Sequence, residues 1–166
     1  MAKKKLKLEC TSHEEVTLLG ISSTLADYRL VHYLNKQMNV SFARQEEMPY
    51  CISEDKTLSL PLYHYFHELL ENNWFILANT TQKHEYMIPA LRNMDYFFLV
   101  DDLIAQASKE ELLKQLRKVQ GIQLASPVEP SSIKNMELIY ADLEMHLMEL
   151  QREPRSKIPM WNRVEE

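Results

Sequence analysis

Three aspartates around one apolar run are the side chains of this 166-residue sequence best placed to do chemistry. Asp95, Asp101 and Asp102 bracket Tyr96-Phe97-Phe98-Leu99-Val100, and carboxylates at the end of a strand are a common ingredient of α/β sites. Two carboxylates that share one bond as acid and base must lie within about 5–10 Å of each other. Asp95 and Asp101 sit six residues apart on a strand, about 20 Å along it, so they cannot form one pair. The simpler reading is that two aspartates end a buried strand because charge cannot continue it. His64 and His67 are the next candidates. On a helix they would share a face and could ligate a metal, whereas on a strand they point to opposite faces. The alternation around them favours the strand. "HEE" at 13–15 precedes any clear element and reads as a solvated loop.

Several chemistries are excluded by composition. Gly20 and Gly121 are the only glycines, so the Gly-rich nucleotide cradles and the G-x-S-x-G nucleophile elbow cannot be built. Cys10 and Cys51 form no C-x-x-C pair, which argues against a thiol zinc or redox site and for two reduced thiols. No residue is assigned as catalytic, cofactor-binding or metal-ligating, and no cofactor is expected. With 19 basic against 24 acidic side chains the formal net charge is −5. That balance opposes a chain dominated by phosphate-backbone binding. The apolar run at 97–100 is far too short to span a bilayer. "MAKKKLKLE" has lysines without an apolar segment, so no secretory leader is expected and the reading is cytoplasmic.

The elements that must position these residues can be read from periodicity. "KKLKLEC" alternates and suggests a half-buried strand with Lys5 and Lys7 on its solvated face. Thr24 and Asp27 resemble a capping box, with Ser23 as an alternative cap, opening a helix from about Leu25 to Met38. "NVSFARQ" is a short strand and "EEMPYCISEDK" a loop or irregular edge. "LSLPLYHYFHE" alternates, with Pro61 marking an edge or bulge. A turn at "LLENN" and the strand "WFILANT" complete a hairpin; a helix through "YHYFHELLENNWF" is the rival reading. Pro89 breaks the chain, "ALRNM" bridges, and "DYFFLV" is a strand suited to burial on both faces. Ser108 and Glu111 suggest a second capping box, Leu112, Leu113, Leu116 and Val119 a stripe, and Gly121 a C′ residue with Ile122 covering Leu116. "IQLASPV" follows, so residues 95–128 read as a strand–helix–strand crossover with parallel strands. Pro130, Ser131 and Ser132 open a last helix running to about Arg152, with Met136, Ile139, Leu143, Leu147 and Leu150 on one face. The expectation is one α+β domain over 1–152: a mixed or antiparallel sheet with a hairpin, one βαβ-like unit, two or three packing helices and a long C-terminal helix. Residues 153–166 form a tail.

Two segments resemble a known family. Ile88-Pro89 followed by Asp95-Tyr96, in "IPALRNMDYFFLV", and "GISSTLADYRLVHYLNKQM" near the start are similar to the signature and N-terminal segment of the IPExxVDY family, small proteins found mainly in Bacteroidetes. The resemblance spans roughly residues 1–125. Ala90 and Met94 replace the Glu and Val of the family name, and the spacing is one residue longer. The resemblance implies a cytoplasmic bacterial protein and transfers no chemistry.

Function is thus read from surfaces. Tyr63, Tyr65, Phe66, Trp74 and Phe75 make an aromatic-dense hairpin that could stack bases, yet no Lys or Arg occurs from Leu58 to Thr81, so core plus a dimer face is the better reading. The tail carries Ile158, Met160 and Trp161 as candidate interaction residues, Trp being favoured in interface hot spots. The first expectation is a non-enzymatic interaction or scaffold module that binds a protein partner or a second copy, with no membrane. Two alternatives stand beside it. One is an RNA-associated factor using the lysines of 3–7 and the 114–118 face, with Lys3, Lys5, Lys114, Arg117 and Lys118 as contacts. The other is an enzyme with an unrecognised acidic site.

Overall fold

A computed structural model describes residues 16–134 and 136–152. Its eight strands are β1 (Thr17–Ser23), β2 (Ala43–Arg44), β3 (Met48–Ser53), β4 (Lys56–Leu60), β5 (Leu62–His67), β6 (Asn72–Ala78), β7 (Tyr96–Val100) and β8 (Ile122–Val128). The helices are α1 (Asp27–Met38), α2 (Gln106–Arg117) and α3 (Met136–Arg152). Six strands form one sheet in the order β2-β5-β6-β7-β1-β8, and β3 pairs with β4 in a separate ribbon. Every pairing is antiparallel. The fold is α+β. The strand expected at "KKLKLEC" and the tail at 153–166 lie outside the described residues.

β7 is an interior strand whose five residues are all buried. Successive side chains on a strand point to opposite faces, and β7 supplies both cores. Phe97 and Leu99 join Leu18, Phe75 and Leu77 on one face, covered by Ile139 and Leu143 of α3 and by Leu58 and Leu60 of β4. Phe98 and Val100 join Leu19, Ile21 and Ile76 on the other, covered by Leu30 and Leu34 of α1 and Leu113 and Leu116 of α2. Two apolar faces explain why "YFFLV" reads as an unbroken run instead of an alternation.

The crossover has an inserted strand. β7 and β8 each pair antiparallel with β1, so they run parallel to one another with β1 between them. The expected parallel strands exist, but the connection through α2 leaps one strand.

Five local readings need correction. Of the two readings of "EEMPYCISEDK", the loop falls and the irregular strand stands: β3 pairs Met48 with Leu60 and Tyr50 with Leu58, with a register shift between Cys51 and Ser53, and Met48 is buried. Pro61 divides "LSLPLYHYFHE" into β4 and β5, because proline brings no N–H to a ladder and lets the chain change sheets. Neither capping box forms. The N-caps are Ala26 and Ala105, without side-chain hydrogen bonds. Ser23 Oγ instead accepts from Leu25 N and donates to the Gly121 carbonyl, while Ile104 N donates to Thr17 Oγ and fixes the chain so that α2 begins before Ser108. Gly121 is not the C′ residue either. α2 ends at Arg117 with Lys118 as cap, and Gly121 lies in the turn into β8 at φ +96°, where an added Cβ would sit 2.1 Å from Leu25 Cδ1. Glycine is needed there for both conformation and space. Pro130–Ser132 forms a separate 3-10 turn ahead of α3.

Candidate functional site

The two segments that carry the family resemblance meet at the N-terminal end of β7. Asp95 Oδ2 accepts from Ser23 N at 2.9 Å, and Asp95 N donates to Ile21 O at 2.8 Å. Tyr96 Oη donates to the Leu25 carbonyl at 2.7 Å, two residues before α1. Met94 packs where a Cβ on Gly20 would be, with Sδ 2.6 Å from that position. The Ile88-Pro89 turn is held by Asn79, which is fully buried. Asn79 Nδ2 donates to Leu91 O at 3.1 Å and Met94 O at 3.0 Å, and Asn79 Oδ1 accepts from Ile88 N at 2.9 Å. Beside this clamp, Asp27 Oδ2 accepts from Tyr63 Oη at 2.7 Å and from Arg44 Nη1 at 2.8 Å. Burial, then the Asp27 carboxylate, pushes the Tyr63 phenol up to about 12. Burial, reinforced by Asp27 and Asp95, also raises Tyr96. Both phenols are held protonated, the opposite of what a nucleophile or base requires.

A concavity of about 970 Å³ opens at this end, beside Asp27, Asp95 and Tyr96. Several of its polar groups are engaged within the chain. Thr81 Oγ accepts from Lys83 N and Glu85 N, and Lys56 pairs with Glu85, whose carboxyl it holds below the usual range through a hydrogen bond.

The C-terminal end of β7 differs. Asp101 accepts from Asn73 N and Nδ2, both at 2.8 Å, and His64 Nε2 lies 2.7 Å from Asn73 Oδ1. Asp102 Oδ1 accepts from Leu103 N, and its carbonyl accepts from Thr17 Oγ. The three aspartates are thus engaged by backbone and amide groups, each at its own position. His64 and His67 point to opposite faces of β5: His64 stacks near Phe75 of one core, His67 near Trp74 of the other. Among the described residues, no group of three or more His, Cys, Asp or Glu gathers to hold a metal ion.

Above this end, between the C-terminus of α1 and the N-terminus of α2, lies a groove of about 550 Å³. A volume of that size accommodates a small molecule or a few side chains. Its floor is aromatic. Trp74 packs with its ring centroid 5.0 Å from His67, 5.3 Å from Phe98 and 5.7 Å from Tyr65. The indole Nε1 donates to Asn72 Oδ1 at 3.0 Å, and His67 Nδ1 accepts from Leu70 N. With the indole N–H and His67 Nδ1 engaged within the chain, the floor offers ring faces and edges. Leu70 and Leu103 stand at the rim, 53% and 60% exposed, and Leu69 and Phe66 on the same hairpin are 89% and 46% exposed. Apolar side chains left in water at one end of a sheet mark a contact surface more often than chance. The groove's charged lining is Asp102 and Glu111, with no Lys or Arg.

The aromatic hairpin divides accordingly. Tyr63, Trp74 and Phe75 are buried, Tyr65 lines the groove, and Phe66 is exposed. Of the basic candidates, Lys114 and Lys118 lie exposed on α2. Arg117 is committed: Nε and Nη2 donate to the Ala125 carbonyl of β8 at 3.1 and 2.8 Å. Lys3, Lys5, Ile158, Met160 and Trp161 lie outside the described residues. Sequence reading missed Leu70, Leu103 and the fixing role of Asn79. The signal for the leucines was a pair of large apolar residues inside a turn, which no core position could absorb. No helix among the described residues is long and apolar enough to cross a membrane. No family model matches the chain, and no curated protein matches it.

Proposed function

We propose that the chain is a non-enzymatic protein-interaction module, a cytoplasmic protein of the IPExxVDY kind, and that the groove end of its sheet is the surface that binds. The observation that carries this reading is the coincidence of an aromatic floor with two exposed leucines, Leu70 and Leu103, at the rim of one groove. Desolvation of such groups upon docking yields about 25 cal/mol per Å². Against catalysis stands the state of the titratable groups: the aspartates each accept a structural hydrogen bond at separate positions, and the phenols Tyr63 and Tyr96 are held neutral. The basic face of α2 retains two free-standing lysines, with Arg117 turned to β8.

The test is a differential capture. Tagged protein purified from its native cytoplasm is compared with the double variant Leu70→Glu/Leu103→Glu and with Leu124→Glu, an equally exposed leucine on β8 remote from the groove. The reading expects a protein partner, or a second copy, that is retained by the wild type and Leu124→Glu and lost by the groove variant. Identical partners for all three would contradict it. So would salt-sensitive retention of the wild type on immobilised RNA that the groove variant preserves.

A further inference from the structure

We propose that the groove takes a partner segment of defined chemistry: one large apolar or aromatic side chain on the Trp74 floor, with a lysine or arginine beside it in the partner's sequence. The inference rests on the reading of this end as a contact surface and goes further by specifying what fits.

The argument is one of charge and shape. Two carboxylates, Asp102 and Glu111, stand on the groove wall. Ion pairs between basic and acidic side chains among the described residues join Arg44 to Asp27 and Glu47, and Lys56 to Glu85. None reaches Asp102 or Glu111. Asp102 uses Oδ1 on Leu103 N and keeps Oδ2 for a long 3.5 Å contact from Asn72 Nδ2. Glu111 accepts from Gln115 Nε2. A carboxylate has about four acceptor positions, so both keep capacity for a cation. The floor beneath is apolar, and Trp74 and Asn72 satisfy each other. A purely apolar segment would desolvate the carboxylates without a counter-charge, and an acidic one would be repelled. A cation flanking an apolar anchor meets both conditions. An arginine could also lie against the ring faces of Trp74 or Tyr65.

The experiment titrates the full-length, ¹⁵N-labelled protein with three synthetic peptides at low ionic strength. The first is Lys-Gly-Lys-Phe-Lys-Gly-Lys. In the second every lysine is replaced by glutamate, and in the third phenylalanine is replaced by serine. The first peptide is expected to shift the Trp74 indole resonance and the amides of Leu70 and Leu103. The other two should bind at least about tenfold more weakly. Asp102→Asn/Glu111→Gln should weaken the first peptide by about tenfold without moving the melting temperature, and added salt should have the same effect. Equal binding of the lysine and glutamate peptides, no shift at Trp74 at about 1 mM first peptide, or shifts centred elsewhere would overturn the inference. If the peptides fail while the differential capture still loses its partner in the groove variant, only the partner chemistry is wrong. If both fail, the interaction reading falls with it.

Discussion

The two ends of β7 begin from similar residues and arrive at opposite states. At the Asp95–Tyr96 end, carboxylate, phenol and amide are consumed by the chain's own backbone: Ser23 N, Leu25 O, and three groups held by the Asn79 side chain. At the Asp101–Asp102 end the carboxylates also serve the backbone, but the side chains around them are left open, with Leu70 and Leu103 in water over an aromatic floor. The contrast teaches where to look. The segments that read as a signature fold into a clamp that joins β1, α1 and β7. The surface available for binding is made from residues that carry no signature.

The largest effect belongs to the strand that both ends share. Phe98→Ala should cost about 3–5 kcal/mol, since Phe98 is completely buried among α1, α2 and β6; denaturant unfolding measures it. A loss below about 1 kcal/mol would dissolve the comparison, because the ends would not hang on a common core.

Next comes the clamp. Asn79→Ala leaves Ile88 N, Leu91 O and Met94 O without the partner they have now. At about 1–3 kcal/mol for a buried polar group left unpaired, the unfolding free energy should fall by about 2–3 kcal/mol, and amide exchange of residues 88–94 should accelerate.

A smaller effect reports the same end through pH. The folded Tyr63 phenol titrates at about 12 while an unfolded tyrosine titrates near 10. The folded state therefore keeps its proton longer, so the stabilisation is complete below pH 10 and is lost as pH rises from 10 through about 12. Tyr63→Phe should cost about 1 kcal/mol at neutral pH through the lost bond to Asp27. It should also flatten the alkaline fall of the melting temperature. An alkaline limb identical in the variant would count against this role.

The smallest expected effect lies at the groove. Leu70→Ser/Leu103→Ser should change stability by no more than about 0.5 kcal/mol per site, because both side chains are already in water. A loss of several kcal/mol would mean that they are core, and the contrast between the ends would vanish.

Much of this was legible beforehand, and the exceptions have physical causes. "YFFLV" announced a doubly covered strand because five consecutive apolar residues have no solvated face, and the stripe from Met136 to Leu147 announced α3 by its helical spacing. Pro89 marked a break, and a short 3-10 turn at Pro89–Leu91 fills it. The capping boxes failed because Thr24 and Ser108 satisfy a local pattern, whereas the helix starts are set by tertiary ties at Ser23 and Ile104. β3 was hidden because its ladder is irregular near the Glu54-Asp55 turn and because only Met48 of its residues is buried. The strand inserted between β7 and β8 was invisible because adjacency of distant segments leaves no local trace. The groove was the least legible. Its floor is built from β5 and β6, its walls from both helices, and its rim from turns. Only the misplaced leucines of "ELLENN" hinted at it.

The account turns on which end of β7 meets another molecule, and photo-crosslinking addresses that directly. p-Benzoylphenylalanine is introduced in place of Leu103 at the groove rim, or in place of Gln82 in the concavity at the clamp end, and the protein is irradiated in its native cells. The account predicts discrete higher-mass adducts from position 103, suppressed by the Asp102→Asn/Glu111→Gln pair, and none above background from position 82. Adducts from position 82 with none from position 103 would contradict it.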